Sequence, residues 1–195
     1  MDIYKKETSM VGRNMTLLVF LISFSFLDQY SFAAAWRNSS VNKKAGDLVE
    51  EVCKTTVDPR LCITTLRSNP RSSSADVKGL GHIMLEATLA KSLDNFAQVN
   101  TLLRKPTDPV TKHCLESCSF QYDLLIDDVK QSIHNFESND YFDASIQVAV
   151  ADDGAETCES GFSELKRHSP LTERNKILEY LSRICVDIIA RLDKS

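Results

Sequence analysis

From residue 74 onward, apolar residues recur at steps of three and four, the period of an amphipathic helix. The first run, capped by Ser74 or Asp76 and extending to about Arg104, puts Leu80, Ile83, Met84, Ala87, Ala90, Leu93 and Ala97 on one face. Pro106 and Pro109 end it and separate it from a second run, Thr111 to about Glu137. The seam of that run is Leu115, Cys118, Tyr122, Leu125, Val129 and Phe136, with Ser132 as its polar interruption. Ser138-Asn139-Asp140 predicts a turn. A third run, Tyr141 to about Lys166, repeats the spacing with Tyr141, Ala144, Val148, Ala151, Ala155, Cys158, Phe162 and Leu165. After the break at Pro170, a fourth run from Thr172 to about Leu192 carries Leu178, Leu181, Cys185, Ile188 and Leu192. No strand-period run competes. Four such helices with short connections predict an all-α fold, an up-down-up-down four-helix bundle over 74–195, its seams stepped for neighbours crossing at about +20°. Ahead of it, Asp47 to Leu66 reads as two short helices around Thr56-Val57-Asp58-Pro59, an N-terminal hairpin within 46–73.

Composition narrows the picture. The chain has 195 residues, 43% of them hydrophobic, with only 6 Gly and 5 Pro, which argues for one folded domain and against a turn-rich β-sandwich. Basic residues number 23 against 27 acidic, a net charge of −4 with no basic block, so nucleic acid is not an expected partner. Lys5, Lys6 and Arg13 precede an apolar stretch from Met15 to Leu27, followed by Ala33-Ala34-Ala35. That is the plan of a signal peptide over 1–35, with an apolar core too short to cross the roughly 30 Å of bilayer hydrocarbon. The mature chain is then 36–195, secreted and without a membrane-spanning segment. Its new N-terminus contains Asn38-Ser39-Ser40, an acceptor triplet for N-glycosylation.

All six cysteines lie in the mature part and would meet an oxidising compartment. Cys53 and Cys62 flank the Asp-Pro turn, where a bridge would staple two helices that bury little by themselves. Cys118 and Cys158 each stand 20 residues from Ser138, the centre of the second turn. In an antiparallel hairpin they fall at the same height, both on the seam, where a bridge with the usual Cα separation of about 5.5 Å can form. Cys114 and Cys185 belong to helices running the same way and differ in height by about 15 Å, too far to bridge. Cys185 reads as a buried thiol in the seam. Cys114, one turn before Cys118, is open to a competing pairing or to remaining a free thiol.

Catalytic groups do not converge. His82, His113, His134 and His168 show no metalloprotease spacing and have no nucleophile-elbow serine to serve. His113-Cys114 next to Cys118 lacks a second metal half-site, and Gly79-Leu80-Gly81 opens a helix without a preceding strand. Glu50-Glu51, Asp127-Asp128 and Asp152-Asp153 are neighbours in helices, about 100° apart around the axis, and cannot aim at one substrate atom. Two classes of function fit a stapled acidic bundle: a binding or inhibitory module using a helix face, or a carrier or enzyme with a site inside the bundle. The seams hold Leu, Ala, Ile, Val, Tyr and Cys rather than ligating groups, which favours the binding module, with no cofactor and no metal expected.

Several motifs also resemble one family. They are Cys53-x8-Cys62, Asn69-Pro70-Arg71-Ser72, Lys78-Gly79-Leu80-Gly81, Cys118-x3-Tyr122, Asp140-Tyr141, Glu156-Thr157-Cys158-Glu159-x-x-Phe162 and Ser169-Pro170. Over essentially the whole mature region the chain resembles the plant invertase and pectin methylesterase inhibitors. The resemblance implies a hairpin held by the first bridge, a four-helix bundle held by the second, and a protein that is not an enzyme but blocks the active site of one by forming a complex. Its implied partner is a pectin methylesterase or, alternatively, a cell-wall or vacuolar acid invertase, or a drifted target. Its implied location is the apoplast and cell wall, with the vacuole as a second possibility.

The invertase-directed members resemble one another in a Pro-Lys-Phe loop at the second turn, where this chain reads Asp140-Tyr141-Phe142. The pectin-esterase type is similar to Asn139-Asp140-Tyr141. The resemblance assigns contact roles to Asp127, Asp140, Tyr141 and Thr157. Phe120, Leu124 and Ser160 stand at matching positions that can be acidic in the family. Asp140 is also placed to cap the third helix.

Overall fold

The computed structural model describes residues 48–193. The expected signal peptide and Asn38 lie outside the described residues. Helix α1 covers 48–53 and α2 runs Pro59–Ser68. Asp58 caps α2 by accepting the Leu61 N–H at 2.9 Å, and Pro59 occupies the first turn, where its missing N–H costs nothing. The Cys53–Cys62 disulfide joins the two helices, with Cα atoms 5.6 Å apart. Val49, Val52 and Leu66 are buried with it. The Val57 N–H donates to Asp187 at 2.9 Å and Arg191 donates to Thr55, so the hairpin is tied to the last helix.

A short 3-10 turn, Pro70–Ser73, leads into four long helices: α3 Val77–Leu103, α4 Pro109–Glu137, α5 Tyr141–Glu164 and α6 Thr172–Leu192. Aspartates start three of them. Asp76 accepts the Gly79 N–H at 2.7 Å, Asp108 accepts from Val110 and Thr111 at 3.2 Å each, and Asp140 accepts from Asp143 at 3.2 Å. The expectation that Pro109 belongs to the separating linker is corrected: it is the first residue of α4, directly behind its Asp108 cap. Asn139, with φ 64°, makes the α4–α5 turn in the left-handed region that Asn tolerates better than most residues.

The seams of α4 and α5 lie where the spacing puts them. Leu115, Cys118, Tyr122, Leu125, Val129 and Phe136 are buried, as are Ala144, Val148, Ala151, Ala155, Cys158 and Phe162. Small residues bring these helices close: a Cβ at Gly154 would sit 2.6 Å from a Leu125 methyl carbon. Cys118 and Cys158 are bridged with Cα atoms 4.7 Å apart, while Cys114 and Cys185 are free and buried. The Cys114 thiol donates to the Gly161 carbonyl at 3.5 Å. Cys185 meets the Thr88 hydroxyl at 3.2 Å, and complete burial pushes its thiol up to about 12.

Two expectations are corrected. In the second half of α3, Ala90, Leu93 and Ala97 face outward, and the core takes Thr88, Ser92, Asn95 and Val99 instead. Thr88 and Ser92 are tolerated there because their hydroxyls donate to the carbonyls one turn back, Met84 at 3.0 Å and Thr88 at 2.9 Å. Leu165 is exposed because α5 ends at Glu164 and the chain turns away through Lys166, φ 56°. The core accordingly has two apolar clusters. One gathers Leu80, Met84, Phe136, Val148, Ile184 and Ile188 beside the hairpin; the other gathers Val99, Leu115, Leu125, Ala155, Phe162 and Leu178 around the second disulfide. Where one gives way to the other, Ser132 donates to the Ala144 carbonyl and Ser182 to that of Val148, each at 2.6 Å.

Candidate partner-binding face

The α4–α5 hairpin is the most acidic part of the molecule. Between Pro109 and Glu164 the chain carries twelve acidic residues against two lysines and no arginine. Along α4, Phe120, Leu124 and Asp127 repeat at helical spacing and are all exposed. Along α5, Phe142, Ile146, Asp153 and Thr157 do the same. The outside of this hairpin is thus a carboxylate-rich surface with large apolar side chains set into it.

Each expected contact residue has a definite place. Asp127 is exposed and accepts a hydrogen bond from Lys130 at 2.8 Å. Asp140 caps α5 at the turn. Tyr141 is half-buried, with its ring edge-on to Phe136 at 5.5 Å and its hydroxyl donating to Asn139 at 3.0 Å. Asn139 also accepts from Lys78 of α3 at 2.7 Å, which holds the turn against the neighbouring helix. Thr157 is exposed, and its hydroxyl donates to the Asp153 carbonyl of its own helix at 2.8 Å.

These four residues do not converge. Counted from the turn at about 1.5 Å per residue, Asp127 and Thr157 differ in height by about 12 Å, and Thr157 stands about 25 Å from Asp140. Such spacing cannot surround one reacting atom, but it can span a protein interface.

Behind this face lies a polar network that spacing alone did not reveal. Asn95 of α3 donates to the Tyr122 hydroxyl of α4 at 2.9 Å and to the Arg174 carbonyl of α6 at 3.1 Å. The Tyr122 hydroxyl donates to Asn175 of α6. Asn175 in turn donates to Glu159 of α5 at 2.6 Å, and Thr172 donates to the other Glu159 oxygen at 2.8 Å. Desolvation raises the Tyr122 phenol well above its ordinary value. Outside the core, a hydrogen bond from Arg174 at 2.6 Å holds the Asp94 carboxyl below the usual range. The sequence did contain a signal: a tyrosine on an otherwise apolar seam needs a partner for its hydroxyl.

Among the described residues no group of three or more His, Cys, Asp or Glu side chains could hold a metal ion, and no helix is long and apolar enough to cross a membrane. Fold and surface define a rigid helical module that works by binding. The chain belongs to the plant invertase/pectin methylesterase inhibitor family, whose model matches residues 47–188. This is a family of proteinaceous inhibitors, and the chain is not itself an enzyme.

Two relatives illustrate its breadth. A pectinesterase inhibitor from Actinidia deliciosa is 37% identical over 120 residues, covering 62% of this chain and 65% of that protein, just under two thirds of its length. A cell wall / vacuolar inhibitor of fructosidase from Arabidopsis thaliana is 32% identical over 157 residues, covering 80% of this chain and 87% of its own. The crystal structure of a mutant form of a pectin methylesterase inhibitor from Arabidopsis superposes with a TM-score of 0.64 at 23% identity, covering 71% of this chain and 93% of that one, which establishes the shared fold.

Proposed function

We propose that this chain inhibits plant pectin methylesterase by laying the outer α4–α5 face across the enzyme's substrate cleft, with Asp127, Asp140, Tyr141 and Thr157 among the contacts. The observation that carries this reading is the charge of the hairpin, twelve acids against two lysines, on a family member 37% identical to a pectinesterase inhibitor. A cleft that accepts polygalacturonate, a polyanion, is matched by a surface that presents carboxylates on a rigid frame. Asp140-Tyr141 at the turn, without a Pro-Lys pair, supports the same target. The acting species in this reading is the secreted chain 36–195, delivered to the cell wall after loss of residues 1–35, with Asn38 open to glycosylation. It comprises the hairpin 46–73 and the bundle 74–195.

A second reading, inhibition of cell-wall or vacuolar acid invertase, is favoured by one observation: the fructosidase inhibitor aligns over 87% of its own length. The two are separated by titrating the purified mature chain against a plant pectin methylesterase and an acid invertase at apoplastic pH. Stoichiometric inhibition of the esterase alone is the expected result. Inhibition of the invertase alone reverses the assignment, and inhibition of neither at micromolar concentration removes both.

A further inference from the structure

Phe120 is 61% exposed and Leu124, one turn on, 48% exposed. The two side chains stand one turn apart on the same face of α4 and so lie side by side on its surface. Phe120 forms one wall of a groove between α3 and α4 of about 430 Å3, lined also by Phe96, Leu103, Ser119, Glu116 and Asp123. The groove is shallow and open to solvent, so what enters it is a side chain from a partner surface. Three apolar side chains line the groove, and two carboxylates accompany them. Glu116 shares Lys112 at 3.7 Å, whereas Asp123 has no hydrogen-bond or ion-pair partner among the described residues.

On the basis of the inhibitor reading above, we infer that this groove receives an apolar side chain carried beside a lysine or arginine on the target enzyme, with Phe120 as its anchor. Apolar lining and free carboxylate require both halves of that partner: burial of the hydrophobe against Phe96, Leu103 and Phe120, and a cation to meet Asp123 as the rim is desolvated. A second copy of this chain is a poor occupant, because it would bring one strongly acidic hairpin against another. An aromatic anchor held on a helix loses little side-chain entropy on binding and suits the centre of a contact.

The test measures binding of a plant pectin methylesterase to the mature chain and to Phe120→Ala, Phe120→Glu and Ile177→Ala, the last an exposed apolar residue on α6. Equal melting temperatures show that every variant folds. Both Phe120 variants are expected to weaken binding tenfold or more, with Ile177→Ala unchanged. Binding by the Phe120 variants equal to that of the unaltered chain overturns the inference while leaving the inhibitor reading intact, and equal losses from Phe120→Ala and Ile177→Ala overturn it too. No binding by the unaltered chain overturns the inhibitor reading, and this inference falls with it.

Discussion

The hydroxyl of Tyr122 on α4 donates to the side-chain oxygen of Asn175 on α6, joining two helices that run the same way on opposite sides of the bundle. Asn95 and Glu159 complete the connection, so all four long helices meet in one hydrogen-bonded set at the level of the Cys118–Cys158 bridge. Cross-links of these two kinds keep the α4–α5 face rigid, so that little order has to be imposed on it when a partner binds.

Removing the hydroxyl tests that role. Tyr122→Phe leaves the buried Asn175 oxygen without its donor, and stability is expected to fall by about 1–3 kcal/mol. Urea denaturation of the two proteins, with an unchanged m-value, measures it. A loss under a few tenths of a kcal/mol would show that the network contributes nothing net.

The same residue sets an alkaline limit. The folded-state phenol lies above its unfolded value of about 10, so its contribution to stability is complete below that pH and declines as pH rises toward the folded value. Unfolding free energy measured from pH 8 upward is expected to drop above pH 10 more steeply for the unaltered protein than for Tyr122→Phe. Parallel curves would contradict the burial of the phenol.

The two disulfides are unequal in the chain-entropy account. Cys118–Cys158 closes 40 residues and Cys53–Cys62 closes 9. On that account, replacing the first pair with alanine is expected to cost about 4 kcal/mol and the second about 2.5 kcal/mol. Thermal denaturation of the two double variants gives the order, and a larger loss from the shorter loop would reverse it.

Free thiols report on the core. Cys185 is fully buried, with its thiol pushed up to about 12, and Cys114 is 2% exposed. Neither is expected to react with iodoacetamide in the native protein at neutral pH, and both should react once it is unfolded. Mass spectrometry of the alkylated chain decides, and native labelling of Cys185 would place it outside the seam.

Most of the fold was legible because α4 and α5 place apolar side chains where the three-four step puts them, and because equal distances from Ser138 set Cys118 opposite Cys158. Reading failed in α3 for a physical reason. Periodicity counts apolar residues, but Thr88, Ser92 and Asn95 enter the core by spending their polar groups on carbonyls and on Tyr122, which turns Leu93 and Ala97 outward. The candidate face was legible in part. The resemblance implies Asp127, Asp140, Tyr141 and Thr157 as contacts, but the α3–α4 groove depends on Phe96 and Leu103 of another helix, a relation that only the packed structure supplies.

The central claim, that the acidic α4–α5 face makes the inhibitory contact, is tested most directly by the inhibition constant of Asp127→Lys against plant pectin methylesterase, beside that of Glu173→Lys on α6. Both residues are exposed, so both variants should fold and carry the same net charge. The account predicts inhibition weakened tenfold or more for Asp127→Lys and nearly unchanged for Glu173→Lys, with the difference shrinking as salt is raised. Equal inhibition by the two variants would contradict it.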